Sequence, residues 1–274
     1  MDVPTQDLSF HPVQNSEPSR LTHQDIVTYN RDGFCQPFDI FDTNEIAEIR
    51  GYLNGLMDTM GDRGAYGINC YQARLRGLYD IATDARILDH VEDLLGANIL
   101  CWATAILSKA PKDPKRVPWH QDASFWALSP ASTVTVWLAI DDADEANSAM
   151  RFIPGTHDKG ILPTSDRDDG AVFHKGTANP DSLGQPFSNS LKAGQISLHA
   201  DMLVHGSLAN TSDRRRCGFT MRYCPPEVQI TDPTWATGVE AILCRGHPGH
   251  WTTHPRPQTD DIASTTSPHV VGNN

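Results

Sequence analysis

The segment PWHQDASFW, residues 118–126, places His120 and Asp122 two positions apart between strand-like stretches. Imidazole and carboxylate groups are common metal ligands, and in an extended backbone both side chains point to the same face. The pattern alone is weak evidence, because a chain with 12 histidines and 34 acidic residues repeats it at 23–25, 90–92 and 199–201. The local context must therefore distinguish a metal site from a loop whose side chains bond to the backbone.

Two of these other pairs fall within helical patterns. His23 with Asp25 and His90 with Glu92 lie in stretches where apolar residues recur at helical spacing. Residues two positions apart lie roughly 200° apart around a helix, so neither pair can easily converge on one ion. We interpret both pairs as polar groups on helix surfaces.

A metal site needs further ligands, and His205 in the segment LVHGS is the best candidate for a third. It follows an apolar strand and precedes Gly206, which allows two backbones to approach closely. His199 would share its face, but six residues of straight strand span about 20 Å, so we interpret His199 as structural. Two histidines and one carboxylate form the ligand set of non-haem Fe(II) oxygenases, which leaves coordination positions open.

A basic strand follows His205 after a polar turn. It carries Arg214, Arg216 and Arg222 on one face and Arg215 on the other, and we expect it to run back antiparallel to the strand of His205. An arginine directed toward the metal ligands could bind the distal carboxylate of 2-oxoglutarate. The alternative is a basic run that faces solvent.

Composition limits the possible partners. The chain has 274 residues, of which 39% are hydrophobic and 20% charged, as expected for a folded protein. A net charge of −12 argues against nucleic acid or an anionic membrane as the main partner. We find no secretion signal at residues 1–20 and no membrane-length apolar run. The six cysteines form no C-x-x-C pair, which predicts reduced thiols in a cytoplasmic protein.

The periodicity of apolar residues changes near residue 98. Before it, three helices are predicted: one capped by Thr22, one capped by Thr43 or Asn44, and one closed by Gly96. After it, short strands alternate with Gly, Pro and Asn turns, which predicts an α+β protein built around a β-sandwich or barrel.

Three segments frame this predicted domain. We expect a flexible N-terminus over 1–20 and a single domain over 21–226, with its helices in 21–97 and its strands in 98–226. Within the strands, the polar segment 156–192 has the length and composition of a functional loop or lid. The proline-rich segment 227–274 is expected to pack on the domain surface. Its histidines could suggest a second metal site, but the prolines disturb regular spacing.

The ordered motifs carry a family resemblance. HQD at 120–122, TVTVWLAIDD, NSAMRFIPGTH, LVHGS and RRRCGFTMRY resemble the phytanoyl-CoA dioxygenase family of Fe(II)- and 2-oxoglutarate-dependent oxygenases. The resemblance covers roughly 21–226 and is closer to bacterial small-molecule members than to acyl-CoA enzymes. It implies a double-stranded β-helix core (jelly-roll, cupin-like) with the helices packed outside.

The resemblance also implies roles for individual residues. His120, Asp122 and His205 match the iron ligands of the family, and Arg216 matches its 2-oxoglutarate-binding arginine. Two further residues match positions that contact the co-substrate, Ser207 and Trp137, although Trp137 could equally be a core residue. The carboxylate of Asp122 favours hydroxylation or another oxidation, because halogenating relatives carry a small residue there.

The implied reaction uses Fe(II), 2-oxoglutarate and O₂, and releases succinate and CO₂ while a substrate C–H bond is oxidised. Phe125, Trp126 and the 156–192 loop are expected to border the substrate pocket. Three arginines could meet an anionic group: Arg74, Arg76 and Arg222. Each of these side chains could instead serve core packing or surface charge.

The expected substrate is a small polar metabolite or a natural-product intermediate. The alternative function is a metal hydrolase or isomerase that uses the same three ligands on a cupin-like scaffold. Either a monomer or a homodimer is compatible with the sequence.

Overall fold

The structure is a computed structural model that describes residues 6–166 and 171–266. Helices come first and strands dominate after residue 98, so the predicted α+β class is confirmed. The helices are α1 (His23–Asp32), α2 (Thr43–Met60), α3 (Arg76–Ala82), α4 (Ala85–Leu95) and α5 (Pro233–Ala236). The strands are β1 (Phe34–Asp39), β2 (Ile99–Lys109), β3 (Val117–His120), β4 (Leu128–Ser129), β5 (Val134–Ala139), β6 (Arg151–Phe152), β7 (Thr164–Asp166), β8 (Lys175–Thr177), β9 (Phe187–Ser188), β10 (Gln195–Ala200), β11 (His205–Ser207), β12 (Arg216–Cys224), β13 (Gln229–Ile230) and β14 (Ile242–Arg245).

Two antiparallel sheets form the predicted jelly-roll core. The larger has six strands in the order β1-β10-β5-β12-β2-β14, and the smaller has four in the order β3-β11-β6-β9. All six residues of β5 are buried, because one face packs on the helices and the other faces the space between the sheets. Two further pairs, β4 with β13 and β7 with β8, lie outside these sheets.

Local sequence explains the ends of the N-terminal helices. Thr22 caps α1 and Gly96 closes α4, both as predicted, and the side chain of Asp25 completes a capping box with Thr22. The predicted cap of α2 is wrong by one residue. Asp42, rather than Thr43 or Asn44, accepts the free N–H groups of Asn44 and Glu45. Only seven residues long, α3 is too short to show a helical period.

The relation between β11 and β12 differs from the predicted antiparallel pair. β11 pairs with β3 and β6 in the smaller sheet, whereas β12 pairs with β2 and β5 in the larger one. The polar turn between them therefore crosses from one sheet to the other. Side chains of the two strands meet in the space between the sheets instead of side by side.

The flanking segments contribute structure of their own. The segment 156–192 contains β7, β8 and β9, and its residues 167–170 lie outside the described part of the chain. Beyond residue 226, β14 joins the edge of the larger sheet and Trp251 is buried. Near the N-terminus, the side chain of Gln6 donates to the backbone of Trp126 and Leu128. Residues 1–5 and 267–274 lie outside the described ranges.

No helix in the described part of the chain is both long enough and apolar enough to cross a membrane.

Candidate metal centre and pocket

Two histidines face each other across neighbouring strands. His120 ends β3 and His205 begins β11, and the two are direct cross-strand partners with ring centroids 4.1 Å apart. Gly206 allows this close approach as expected, since a Cβ there would lie 2.8 Å from the carbonyl oxygen of Val117. The strand pairing thus brings together two residues that are far apart in sequence.

Asp122 supplies the third group from a short 3-10 helix, Asp122–Phe125, that follows β3. The prediction that His120 and Asp122 share one face of an extended strand is therefore wrong in its local geometry. The turn still brings Oδ1 of Asp122 to 3.4 Å from Nε2 of His120 and 3.9 Å from Nε2 of His205. One ligand atom from each of the three residues lies within 4.8 Å of the others.

Hydrogen bonds orient both imidazoles. Nδ1 of His120 lies 2.8 Å from the carbonyl oxygen of Pro118, and Nδ1 of His205 lies 3.0 Å from that of Leu203. Because carbonyl oxygens only accept, each Nδ1 carries the hydrogen and each Nε2 keeps a free lone pair. Both lone pairs belong to the nitrogens nearest Asp122, which is the arrangement that a metal ligand requires.

The charges of the three groups also suit a divalent cation. Burial, together with His120, lowers the pKa of His205 to about 4, so this imidazole is neutral. Burial opposes ionisation of Asp122, but His205, His120 and Arg222 outweigh it and hold the pKa of this carboxyl well below its ordinary value. The site thus offers one carboxylate anion, one neutral imidazole from His205, and the Nε2 atom of His120.

His199 lies closer to this cluster than a straight strand would allow. The chain turns at residues 201–204 between β10 and β11, and the ring centroid of His199 lies 5.0 Å from that of His205. The two histidines therefore do not lie a full strand length apart, and the predicted separation is wrong. His199 borders the pocket, although it is not in the group of three metal-ligating residues found among the described residues.

Arg216 lies on the far wall of the same pocket, at the start of β12. Its Nε donates to the carbonyl oxygen of Ser148 at 3.1 Å, and its Nη2 lies 3.4 Å from Oγ of Ser207. The guanidinium is 3% exposed, and no carboxylate among the described residues forms an ion pair with it. A buried charge without a counterion is costly, so this site calls for an anion.

Trp137 combines both of the roles that were considered for it. The indole is fully buried and packs against Gly218, where a Cβ would lie 2.1 Å from the ring. It also borders the pocket, 5.8 Å from the guanidinium of Arg216, and its N–H has no partner among the described residues. Gly218 therefore makes the space in which Trp137 reaches the pocket.

Lys109 is a buried residue that the sequence analysis did not single out. It is the direct cross-strand partner of Arg216, and its Nζ donates to Oγ of Ser148 at 3.2 Å and to the carbonyl oxygen of Leu208. Burial and the charge of Arg216 lower the pKa of Lys109 to about 7. In the sequence, Lys109 ends a largely apolar strand, and this was the available signal. The structure adds that Lys109 lies directly opposite Arg216, an arrangement that is unfavourable unless an anion binds nearby.

The remaining predicted pocket residues lie on the other side of the metal cluster. Phe125, Trp126 and Arg222 all line the cavity, whose volume is about 330 Å³. Arg222 lies over the ring of Trp126 at 5.1 Å, and its Nε lies 3.8 Å from Oδ2 of Asp122. Phe173, from the 156–192 segment, packs edge-on against the His120 ring at 4.9 Å.

Two predicted anion-binding residues are not in the pocket. Arg74 pairs with Glu240 and Arg76 pairs with Asp260, so both arginines bind the C-terminal segment. The suggested role of these two residues is therefore wrong. The histidines near residue 250 likewise form no metal-ligating group among the described residues.

A jelly-roll that brings together two histidines from neighbouring strands and one carboxylate from the turn after β3 belongs to the broad class of cupin-like metalloproteins. Within that class, residues 29–218 match the family model described as phytanoyl-CoA dioxygenase (PhyH). This match covers most of the chain, and the chain belongs to the phytanoyl-CoA dioxygenase family. The resemblance read from the motifs is thus confirmed.

Relatives of known name are moderately similar in sequence. The peroxisomal phytanoyl-CoA dioxygenase of Bos taurus is 31% identical over 164 residues, which cover 57% of this chain and 48% of that protein. A probable alpha-ketoglutarate-dependent hypophosphite dioxygenase of Stutzerimonas stutzeri is 30% identical over 135 residues, 48% of this chain and 47% of that protein. The chain spans about half the length of the curated relatives it matches.

Solved structures agree with the fold. The non-heme monooxygenase ThoJ, in its apo form, is 26% identical, with a TM-score of 0.73 over 87% of this chain and 90% of that one. CytC3 with Fe(II) and alpha-ketoglutarate has a TM-score of 0.63 and is 23% identical. The match covers 87% of this chain and 93% of that one. At that identity the second likeness supports the jelly-roll fold only.

Proposed function

We propose that this protein is an Fe(II)- and 2-oxoglutarate-dependent dioxygenase that oxidises a C–H bond of a small metabolite, with release of succinate and CO₂. One observation carries the proposal beyond family membership. A buried arginine without a counterion, Arg216, shares a cavity with the His120, Asp122 and His205 cluster. A hydrolase or isomerase would need the metal cluster but would have no use for that cation.

The three clustered residues fit ferrous iron. Two imidazoles and one carboxylate leave part of the coordination sphere open, which suits iron oxygenases. Bound there, iron would supply activation of O₂, coupled to the oxidative decarboxylation of 2-oxoglutarate. The protein itself holds both imidazoles in the required tautomer through the carbonyl groups of Pro118 and Leu203.

The co-substrate would be held on the Arg216 side of the pocket. The guanidinium offers a fork of donors to the distal carboxylate of 2-oxoglutarate. Ser207 can donate to the same carboxylate, and Trp137 offers a free indole N–H beside it. Lys109 adds a second positive charge once an anion offsets its repulsion from Arg216, because the anion raises the pKa of the amine.

The type of oxidation follows from Asp122. Its carboxylate fills the position that an incoming halide would need, which favours hydroxylation over halogenation. Structures of the same fold include a carbocyclase, SnoK, at 19% identity and an epimerase, SnoN, at 22% identity. We take hydroxylation as the first reaction to test.

The apolar wall of the pocket favours a small substrate with a hydrocarbon part. Phe125, Trp126 and Phe173 form this wall next to the metal cluster. None of the six cysteines forms a disulfide bond, which supports a cytoplasmic location, where thiols stay reduced.

The experiment is anaerobic loading with Fe(II), addition of 2-oxoglutarate, and measurement of succinate after air is admitted. We expect slow succinate formation that needs both iron and O₂. Zn(II)-loaded protein and an Asp122→Asn variant serve as controls. Each should form at least tenfold less succinate than the Fe(II)-loaded wild type. Turnover of a substrate by the Zn(II) form without O₂ would instead favour the hydrolase or isomerase.

A further inference from the structure

A row of three polar side chains crosses the larger sheet on the face that lines the cavity. His199 on β10 is the direct partner of Thr135 on β5, which is in turn the partner of Arg222 on β12. Direct cross-strand partners share one face of a sheet. All three side chains border the same cavity as the metal cluster.

The hydrogen-bonding capacity of this row is unused. Among the described residues, neither ring nitrogen of His199 has a partner, nor does Oγ1 of Thr135 or Nε of Arg222. His199 and Thr135 are each 1% exposed. Buried polar atoms in folded proteins are nearly always satisfied, so three adjacent exceptions point to a polar group that binds there.

The next row on the same face behaves differently. Ser197 accepts from the side-chain amide of Asn189 at 2.9 Å, and Thr220 donates to the carbonyl oxygen of Ala105 at 3.2 Å. These hydroxyls are therefore internal parts of the sheet. Between these two residues lies Trp137, whose unpaired indole N–H is already assigned to the co-substrate side of the pocket. Apart from that group, the unsatisfied atoms of the two rows belong to the His199–Thr135–Arg222 row.

The charge of the pocket favours an anion at this row. With iron and 2-oxoglutarate in place, the dication and the dianion cancel, as do Asp122 and Arg216, and the charge of Lys109 lies on the co-substrate side beside Arg216. Arg222 remains, and its nearest acidic neighbour is Asp122, at 3.8 Å. Two indoles, Trp102 at 6.0 Å and Trp126 at 5.1 Å, flank the guanidinium and limit its access to water. A further negative charge at the row would offset that of Arg222.

We propose that the His199–Thr135–Arg222 row binds a carboxylate of the primary substrate, which makes the substrate class a small carboxylic acid with an apolar chain. This inference rests on the proposed function, because it assigns 2-oxoglutarate to Arg216. The carboxylate would receive donors from Arg222 and Thr135 and the N–H of a neutral His199. The apolar part would contact Phe125 and Phe173 beside the metal cluster.

The row is separate from the site assigned to the co-substrate. Arg216 and Arg222 lie on the same face of β12, six residues and therefore about 20 Å of strand apart. This distance is much longer than a five-carbon dicarboxylate. Two arginines at opposite ends of one strand face, Arg216 without a counterion among the described residues and Arg222 at 3.8 Å from Asp122, thus fit two different acids.

The test compares an acid with its uncharged analogue. Protein loaded anaerobically with Fe(II) and 2-oxoglutarate is titrated in a calorimeter with phenylacetate and with phenylacetamide. We expect the wild type to bind the acid at least tenfold more tightly, as charge-assisted hydrogen bonds allow. Arg222→Gln should lose this preference, and Thr135→Val should weaken binding of the acid about fivefold while the amide changes little.

Arg214→Gln is the matched control, since Arg214 is exposed and pairs with Asp144 outside the pocket. This variant should keep the wild-type preference for the acid. The charge-transfer absorption that 2-oxoglutarate produces on Fe(II) reports separately on the metal and co-substrate site. Its retention in Arg222→Gln shows that the variant is folded.

The outcomes separate the two proposals. Failure of wild-type protein to form the absorption band would contradict the proposed function. A normal band with equal affinity for acid and amide, or with no binding of either, would overturn the carboxylate site alone. A weaker affinity of Arg222→Gln for 2-oxoglutarate would assign the row to the co-substrate and also overturn the inference.

Discussion

Three cationic side chains, Lys109, Arg216 and Arg222, lie inside a protein whose net charge is −12. Lys109 and Arg216 are almost fully buried, and the side chain of Arg222 is 17% exposed. Elsewhere the arginines that the structure describes at the surface mostly pair with nearby carboxylates, as Arg214 does with Asp144. Lys109 and Arg216 form no ion pair among the described residues, and Arg222 has only the proposed metal ligand Asp122 at 3.8 Å. Burying such cations is unfavourable for folding alone, so their presence is best explained by anionic ligands.

Arg216 gives the most direct prediction at this scale. Arg216→Gln keeps a polar side chain but removes the charge and the two-pronged donor, so the KM for 2-oxoglutarate should rise about 10- to 100-fold. The KM of Arg216→Lys should lie between those of the wild type and of Arg216→Gln, because lysine keeps the charge but cannot donate two parallel hydrogen bonds. Succinate formation at varied 2-oxoglutarate measures both, and Arg214→Gln should match wild type.

Asp201 predicts how stability depends on pH. Burial raises the pKa of this carboxyl to about 7, although it accepts the N–H of Thr133. The carboxyl of Asp201 has a higher pKa in the native protein than in the unfolded chain, where the pKa is near 3.8. The stability that this difference contributes is fully present below pH 3.8 and is lost as the pH rises through 7. Asp201→Asn is uncharged throughout, so its stability relative to wild type should increase between pH 4 and 8.

Urea unfolding of metal-free protein at several pH values tests this expectation. Comparison of the variant with wild type cancels the titration of the shared histidines. An identical pH profile for both proteins would show that Asp201 ionises at its ordinary pKa in the native state.

At the scale of elements, close approach of β3 and β11 sets the geometry of the metal cluster. His120 and His205 are cross-strand partners, and Gly206 is the residue that lets the two backbones meet. The carboxylate comes from the turn after β3, so its position depends on where that strand ends. A small displacement of β11 would therefore separate the ligands without removing any of them.

Gly206→Ala tests this dependence. The added methyl group would lie 2.8 Å from the carbonyl oxygen of Val117, so the two strands must move apart. We expect Fe(II) affinity to fall about 10- to 100-fold and thermal stability to fall by about 1–3 kcal/mol. Metal titration and thermal unfolding give the two values.

Gly55→Ala in α2 is the control, because nothing lies within 4 Å of the added methyl group. It should leave iron binding unchanged and raise stability by about 0.5–1 kcal/mol, since alanine favours helix. If Gly206→Ala bound iron as tightly as wild type, the close strand contact would have no role in the metal site.

The sequence predicted the chemistry of the site better than its geometry. The ligand types and Gly206 followed from local motifs and from the resemblance. Three errors, the extended His120–Asp122 pair, the β11–β12 pairing and the distance to His199, share one cause. Each assumed that a strand continues straight, whereas turns at 121–125 and 201–204 and the crossing between sheets are set by tertiary packing.

At the scale of the whole molecule, the C-terminal segment is tied to the domain from several sides. β14 pairs with β2 at the edge of the larger sheet, and the indole N–H of Trp251 donates to the carbonyl oxygen of Val228 at 2.8 Å. Asp260 accepts from the hydroxyl of Tyr52 and from the backbone N–H of Gly77. The segment thus covers the strand edge next to Trp102, which in turn flanks Arg222.

Truncation after Pro226 should therefore destabilise the whole domain and not only its surface. It exposes the edge of β2 at Ile99–Cys101 and removes the buried Trp251, a side chain whose loss alone costs about 3–5 kcal/mol. For a domain of this size that cost lowers the Tm by about 6–20 °C. Thermal unfolding followed by circular dichroism measures it. A truncated chain that unfolded cooperatively at the wild-type Tm would show that residues 1–226 form an independent domain.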